Sequence, residues 1–154
     1  VPTTAASTET DVASRCDDLL DAATIAAFEK RGFVNQSAAY TESLSGDYSP
    51  EPDEPSLARF LALGGVVCAW GPVEDEGGVL YAYGPIDKSQ ADKEREVMIK
   101  GGAKTVDSTD FERFTEPYGY AGGYAFLDGH WAAAIGWDPD GDYLAEVVQN
   151  GSKQ

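Results

Sequence analysis

The sequence predicts an α+β fold: an antiparallel sheet of two hairpins packed against two to four helices, with one disulfide. Three observations predict it. Residues 66–84 and 118–137 each read as two short β-rich runs joined by a turn. Helix-like segments precede, separate and follow these hairpins, and that ordering fits helices laid on an antiparallel sheet. Cys16 and Cys68 are the only cysteines, and they sit in a chain of 154 residues with a formal charge of -16.

The elements follow in chain order. Residues 1–13 are small, polar and unpatterned and read as a disordered tether, so a single α+β domain is expected over 14–154. Asp17 to Asp21 gives a short turn. Thr24 can cap a helix through Ile25, Phe28 and Glu29, ended by Gly32. Residues 35–55 carry no clean period and contain Pro50, Pro52 and Pro55, which reads as an irregular loop. Ser56 to Leu63 forms a second helix stopped by Gly64-Gly65. Val66 to Trp70 is a strand, Glu74 to Gly78 an acidic turn, and Val79 to Tyr83 the returning strand. Asp87 or Ser89 can cap a helix over roughly 88–100, with Ala91, Val97, Met98 and Ile99 as its apolar residues. Weak strands are expected around Lys104–Val106 and Phe111–Phe114.

Tyr118–Leu127 and His130–Trp137 flank Asp128-Gly129, a dipeptide that favours a two-residue type I′ turn. The acidic turn Asp138 to Asp142 then leads into a terminal helix through Leu144, Val147 and Val148.

Composition narrows the function classes. With 27 acidic against 11 basic side chains, the chain lacks the positive footprint that nucleic acid and anionic lipid require. No stretch approaches the ~20 apolar residues of a membrane-spanning helix. An even cysteine pair at long spacing in a small acidic chain reads most simply as one bridge, which implies an oxidising compartment. Two buried free thiols in a cytosolic protein are the alternative. An export signal is expected upstream of Val1.

The second hairpin holds the candidate site. A turn at Asp128-Gly129 pairs Phe126 with Trp131, Tyr124 with Ala133 and Tyr120 with Trp137. A period of two then places Tyr118, Tyr120, Tyr124, Phe126, Trp131 and Trp137 on one face. The other face carries Ala121, Gly123, Ala125, Ala132, Ala134 and Gly136. The aromatic face is either core beneath helices or an exposed platform for a sugar, a peptide or a partner surface. Under the second reading Tyr120, Tyr124, Trp131 and Trp137 form the contact surface.

Other chemistry finds less support. Asp138-Pro139-Asp140-Gly141-Asp142 offers oxygen ligands for calcium, but the EF-hand pattern fails at Tyr143 and Gln149. His130 is the only histidine and no Gly-x-Ser-x-Gly elbow accompanies it. One His and two bridged Cys do not make a zinc set. No phosphate-binding or dinucleotide fingerprint occurs. Paired carboxylates are abundant, yet none is marked as a catalytic acid and base. No cofactor or metal is expected.

The segments Cys-Asp-x-Leu-Leu (Cys16 to Leu20) and Cys-x-Trp-Gly (Cys68 to Gly71), behind a Thr/Ala/Ser-rich N-terminus and ahead of a strand-turn-strand ending in Gly-Trp, carry a resemblance. The chain resembles small exported or lipid-anchored proteins of actinobacteria, whose members mostly lack an assigned biochemical function. The resemblance implies a cell-envelope location, an α+β fold and the Cys16–Cys68 bridge, and it brings no catalytic residues. A lipid-bearing cysteine would precede Val1. The expectation is a non-catalytic exported domain that binds a protein or carbohydrate at the cell surface. An envelope hydrolase using paired carboxylates and a calcium-stabilised structural domain are the alternatives.

Overall fold

A computed structural model describes residues 4–45, 55–73, 77–107, 110–136 and 142–154. Seven strands form one antiparallel sheet: β1 (Val34–Asn35), β2 (Val66–Gly71), β3 (Val79–Pro85), β4 (Thr105–Val106), β5 (Glu112–Thr115), β6 (Ala121–Phe126) and β7 (His130–Gly136). Their spatial order is β1-β2-β3-β7-β6-β5-β4. Two meanders, β1–β3 and β4–β7, thus meet along β3 and β7, where Tyr81 pairs with Ala134 and Ala82 with Ala133. Both expected hairpins are present, and the second has the expected register, with Phe126 opposite Trp131 and Tyr124 opposite Ala133. Only Gly129 has positive φ in the connecting turn, at +80°. Asp128 therefore does not adopt the left-handed conformation that a type I′ turn would demand of it.

Helices cover both faces of the sheet. On one side lie α1 (Thr4–Asp17), α2 (Ala22–Lys30) and α6 (Leu144–Gly151). Their Cys16, Phe28, Leu144, Val147 and Val148 pack with Cys68, Trp70, Tyr81, Ala125, Ala132 and Ala134. On the other side, α4 (Ala58–Ala62) and α5 (Lys88–Lys100) bring Phe60, Ala91 and Met98 onto Val67, Ala82, Tyr124, Phe126, Trp131 and Ala133. The period of two along each strand feeds one core on each side, so β2 is buried along its whole length.

α6 shows why the small-residue face exists. Leu144, Val147, Val148 and Gly151 recur at helical spacing and are all buried. A Cβ at Gly151 would collide with the Tyr83 ring, so the helix lies directly on the sheet. α6 also fixes the chain's beginning: Glu146 accepts hydrogen bonds from Asp21 N–H and Thr24 Oγ1, both at 2.9 Å. Asn150 Nδ2 donates to Leu19 O at 3.2 Å and to Asp21 Oδ1 at 3.0 Å. Asp21, not Thr24, is the N-cap of α2, because the helix begins two residues earlier, at Ala22, and the Thr24 hydroxyl instead bonds Glu146.

α5 is capped as its sequence indicates. Asp87 accepts from Gln90 N–H at 2.8 Å while Gln90 Oε1 accepts from Asp87 N–H at 3.3 Å, a reciprocal capping box. Cys16 and Cys68 form the disulfide, with Cα atoms 5.6 Å apart.

Three local expectations are revised. Residues 4–13, read as part of the tether, belong to α1; Ala5, Ala6, Glu9 and Ala13 favour helix even where apolar residues are too sparse to show a period. Within 35–55, α3 (Ser37–Ser45) stands where an irregular loop was expected. Its role is to finish an edge of the sheet: Thr41 Oγ1 donates to Val67 O at 3.2 Å, and Ser37 Oγ accepts from Ala69 N–H at 3.0 Å. Hydroxyls bound to strand backbone leave no hydrophobic period in sequence. Ile99, counted among the apolar residues of α5, is 61 % exposed.

Candidate functional site

The aromatic hairpin side divides into a buried part and an exposed part. Trp131 is fully buried, stacked on Phe60 with ring centroids 3.7 Å apart and near Phe126 at 5.9 Å. Tyr124 is 3 % exposed; burial first, and then the nearby Glu116 carboxylate, hold its phenol well above the ordinary value. These two residues are core, which corrects the expectation that they form a contact surface. The cause is the layer of α4 and α5, which covers that side while α6 covers the other. Trp137 lies outside the described residues. Tyr120 remains 43 % exposed and Tyr118 66 % exposed.

Tyr118 and Tyr120 sit on the loop joining β5 to β6, and a single buried carboxylate shapes that loop. Glu116 Oε2 accepts the N–H of Tyr118 at 2.8 Å and of Tyr120 at 2.9 Å. Glu116 itself is buried. Charge-assisted bonds of this kind are about twice as strong as neutral ones. Gly119 between the tyrosines has φ of +94°, which only glycine adopts without cost. The loop therefore presents two tyrosines on a fixed backbone. Glu116-Pro117-Tyr118-Gly119 carries recognisable turn chemistry, and the strand expected over 118–127 begins only at Ala121.

A cleft of about 580 Å³ opens at the opposite end of β6, bordered by Asp87, Arg95, Asp110, Phe111, Leu127 and Asp128 among others. Arg95 is immobilised there. Its Nε contacts both Glu112 oxygens at 2.9 and 3.0 Å, its Nη1 contacts Asp92 at 2.9 Å, and its guanidinium lies 4.7 Å from the Phe126 ring centroid. The three bordering aspartates are exposed, and Asp87 is committed to the α5 cap.

Among the described residues, no three His, Cys, Asp or Glu side chains converge as a metal site. Asp142 accepts from Leu144 N–H at 3.2 Å and pairs with Arg113; the rest of the acidic turn, 138–141, lies outside the described residues. His130 is exposed and stacks on Tyr83 at 5.4 Å. Trp70 packs on Phe28 at 5.7 Å beside the disulfide, as part of the core. No helix among the described residues is long and apolar enough to cross a membrane.

One buried ion pair joins α4 to α5. Arg59 Nη1 lies 3.1 Å from Glu94 Oε1. Burial raises the Glu94 carboxyl above its ordinary value of 4.5, and Arg59 opposes the rise. The folded state therefore holds the proton more tightly than the unfolded chain does. Glu94's contribution is fully present below pH 4.5 and is lost as pH rises through the higher folded value. Asp17 is raised by burial too, so a comparison of variants isolates Glu94. The stability of the natural chain relative to Glu94→Gln is expected to decline as pH rises from about 4 to 7, measured by urea unfolding. A constant difference across that range refutes the assignment.

No protein-family model, curated protein or solved structure matches this chain.

Proposed function

We propose that this is a non-catalytic exported domain of the cell envelope that binds a protein or carbohydrate partner through the tyrosine loop between β5 and β6. One observation carries the reading: Tyr118 and Tyr120 are exposed on a backbone that Glu116 holds in place. Tyrosine supplies a large contact area with few rotatable bonds, and a fixed loop loses little further entropy on binding. The disulfide supports an oxidising location, and the resemblance to small exported or lipid-anchored actinobacterial proteins points the same way. Their lack of assigned catalytic residues fits a binding role. The hydrolase alternative has weaker support, since Asp87, Asp110 and Asp128 at the cleft beside Arg95 are exposed.

The test is co-sedimentation of the purified domain with washed actinobacterial cell-envelope fragments. Tyr118→Ala with Tyr120→Ala is expected to weaken binding about tenfold or more. Surface truncation should shift Tm by only about 2 °C. Failure of the natural domain to sediment, or equal binding by the double variant, rejects the proposal.

A further inference from the structure

We propose that Asn150-Gly151, the last pair of residues in α6, is a modification site whose reaction is shut while α6 lies on the sheet and opens when the helix lifts. The modification is intramolecular deamidation. Its product cannot rebuild the contacts that Asn150 makes, so the pair records that a molecule has opened.

The dipeptide carries its own nucleophile and electrophile. The Gly151 backbone nitrogen attacks the Asn150 side-chain carbonyl carbon, Cγ. A bond forms from Gly151 N to Cγ and the bond from Cγ to Nδ2 breaks. Nδ2 leaves as ammonia, taking the proton that the Gly151 nitrogen gives up. Water then adds to one carbonyl of the resulting cyclic imide. Opening at Cγ gives aspartate, and opening at the main-chain carbonyl gives isoaspartate. Water is the only co-reactant. Glycine has no Cβ to obstruct the close approach of its backbone. Asn35 is the other asparagine of the chain, and Gln36 follows it, so its attack is hindered.

The fold withholds both reacting groups. Gly151 belongs to α6, where its N–H is engaged in the helical ladder. Its Cα is pressed so closely on the Tyr83 ring that a Cβ would collide, so the peptide cannot turn in place. The Asn150 side chain is 8 % exposed, and its Nδ2 is held by Leu19 O at 3.2 Å and Asp21 Oδ1 at 3.0 Å.

Asn150 makes both of these bonds as a donor. An ionised aspartate has only acceptors. It would set a second carboxylate against Leu19 O and the Asp21 carboxylate, in a position where a charge without a partner is strongly destabilising. Isoaspartate lengthens the main chain by one atom beside Gly151, where the Tyr83 ring leaves no room. With either product the contact from α6 to Leu19 and Asp21 is lost, and only Glu146 still bonds Asp21 N–H and Thr24.

The experiment incubates the disulfide-intact full chain in mildly alkaline buffer, with and without denaturing guanidinium chloride. Peptide mass spectrometry that separates aspartate from isoaspartate follows both asparagines. In denaturant, Asn150 is expected to convert to a mixture of the two products while Asn35 stays intact. Without denaturant, conversion at Asn150 should be at least about tenfold slower, because only the opened fraction reacts. Asn150→Asp, made directly, should speed hydrogen exchange of the α6 amides by about tenfold or more. Equal rates with and without denaturant, no conversion in denaturant, or unchanged α6 exchange in Asn150→Asp overturns the proposal. The incubation uses the natural chain, so it decides the matter even where Asn150→Asp fails to fold.

Discussion

Trp131→Ala lowers the unfolding free energy by about 3–5 kcal/mol, the usual cost of emptying a buried tryptophan site. The ring is fully buried and stacked face to face on Phe60. Its removal also takes away one of the rings that pack on Phe126. In a domain of this length such a loss corresponds to a fall in Tm of roughly 10 °C or more. Trp131→Phe is the informative companion. It keeps an aromatic ring against Phe60 and removes an indole N–H that has no hydrogen-bond partner, so it costs much less than alanine. Urea unfolding of both variants measures the difference. A stable Trp131→Ala protein would mean that the side chain is not covered by α4.

Replacing Cys16 and Cys68 together by alanine lowers stability by about 2–5 kcal/mol. The bridge closes a sequence separation of 52 residues; the chain-entropy account assigns roughly 4 kcal/mol to a loop of that size. The location of the bridge matters as well. It joins α1 to β2, and the Tyr81 hydroxyl donates to Cys16 O at 3.0 Å beside it. Loss of the link therefore loosens the helical layer over β2 and β3. The natural protein, produced under oxidising conditions and denatured without reductant, should show no free thiol, because both cysteines are bridged. Two titratable thiols, or an alanine pair as stable as the natural chain, would contradict this.

Much of the fold was legible because its signals are local. Asp-Gly between alternating residues announced the β6–β7 hairpin and its register, and Asp87, one of two candidate caps with Ser89, marked the start of α5. Phe126 opposite Trp131 followed from counting alone. The alternation of large and small residues on that hairpin was also legible, but its meaning was not. Aromatics on one side and alanines on the other suit a sheet covered once or twice equally well. Which case holds depends on Phe60, far away in the chain, and on Leu144, whose packing the hairpin's own residues do not report. α3 escaped notice because its contribution is hydroxyls on strand backbone. The tyrosine loop was missed for a related reason: Glu116 acts on backbone N–H groups, which no side-chain pattern reports.

The strand order sets a timetable for a chain that emerges from its N-terminus. Cys16 in α1 and Cys68 in β2 both precede β3 in the chain, so the covalent link can close before β4 exists. β3, however, finds its inner neighbour only when β7 arrives, 45 residues after Pro85 at the Pro85–His130 pairing. Until then the hydrophobic edge of the first half is open to any other extended segment nearby. Glu146 and Asn150 of α6 then return to the turn at Leu19 and Asp21, so that turn is locked only after both meanders have been made.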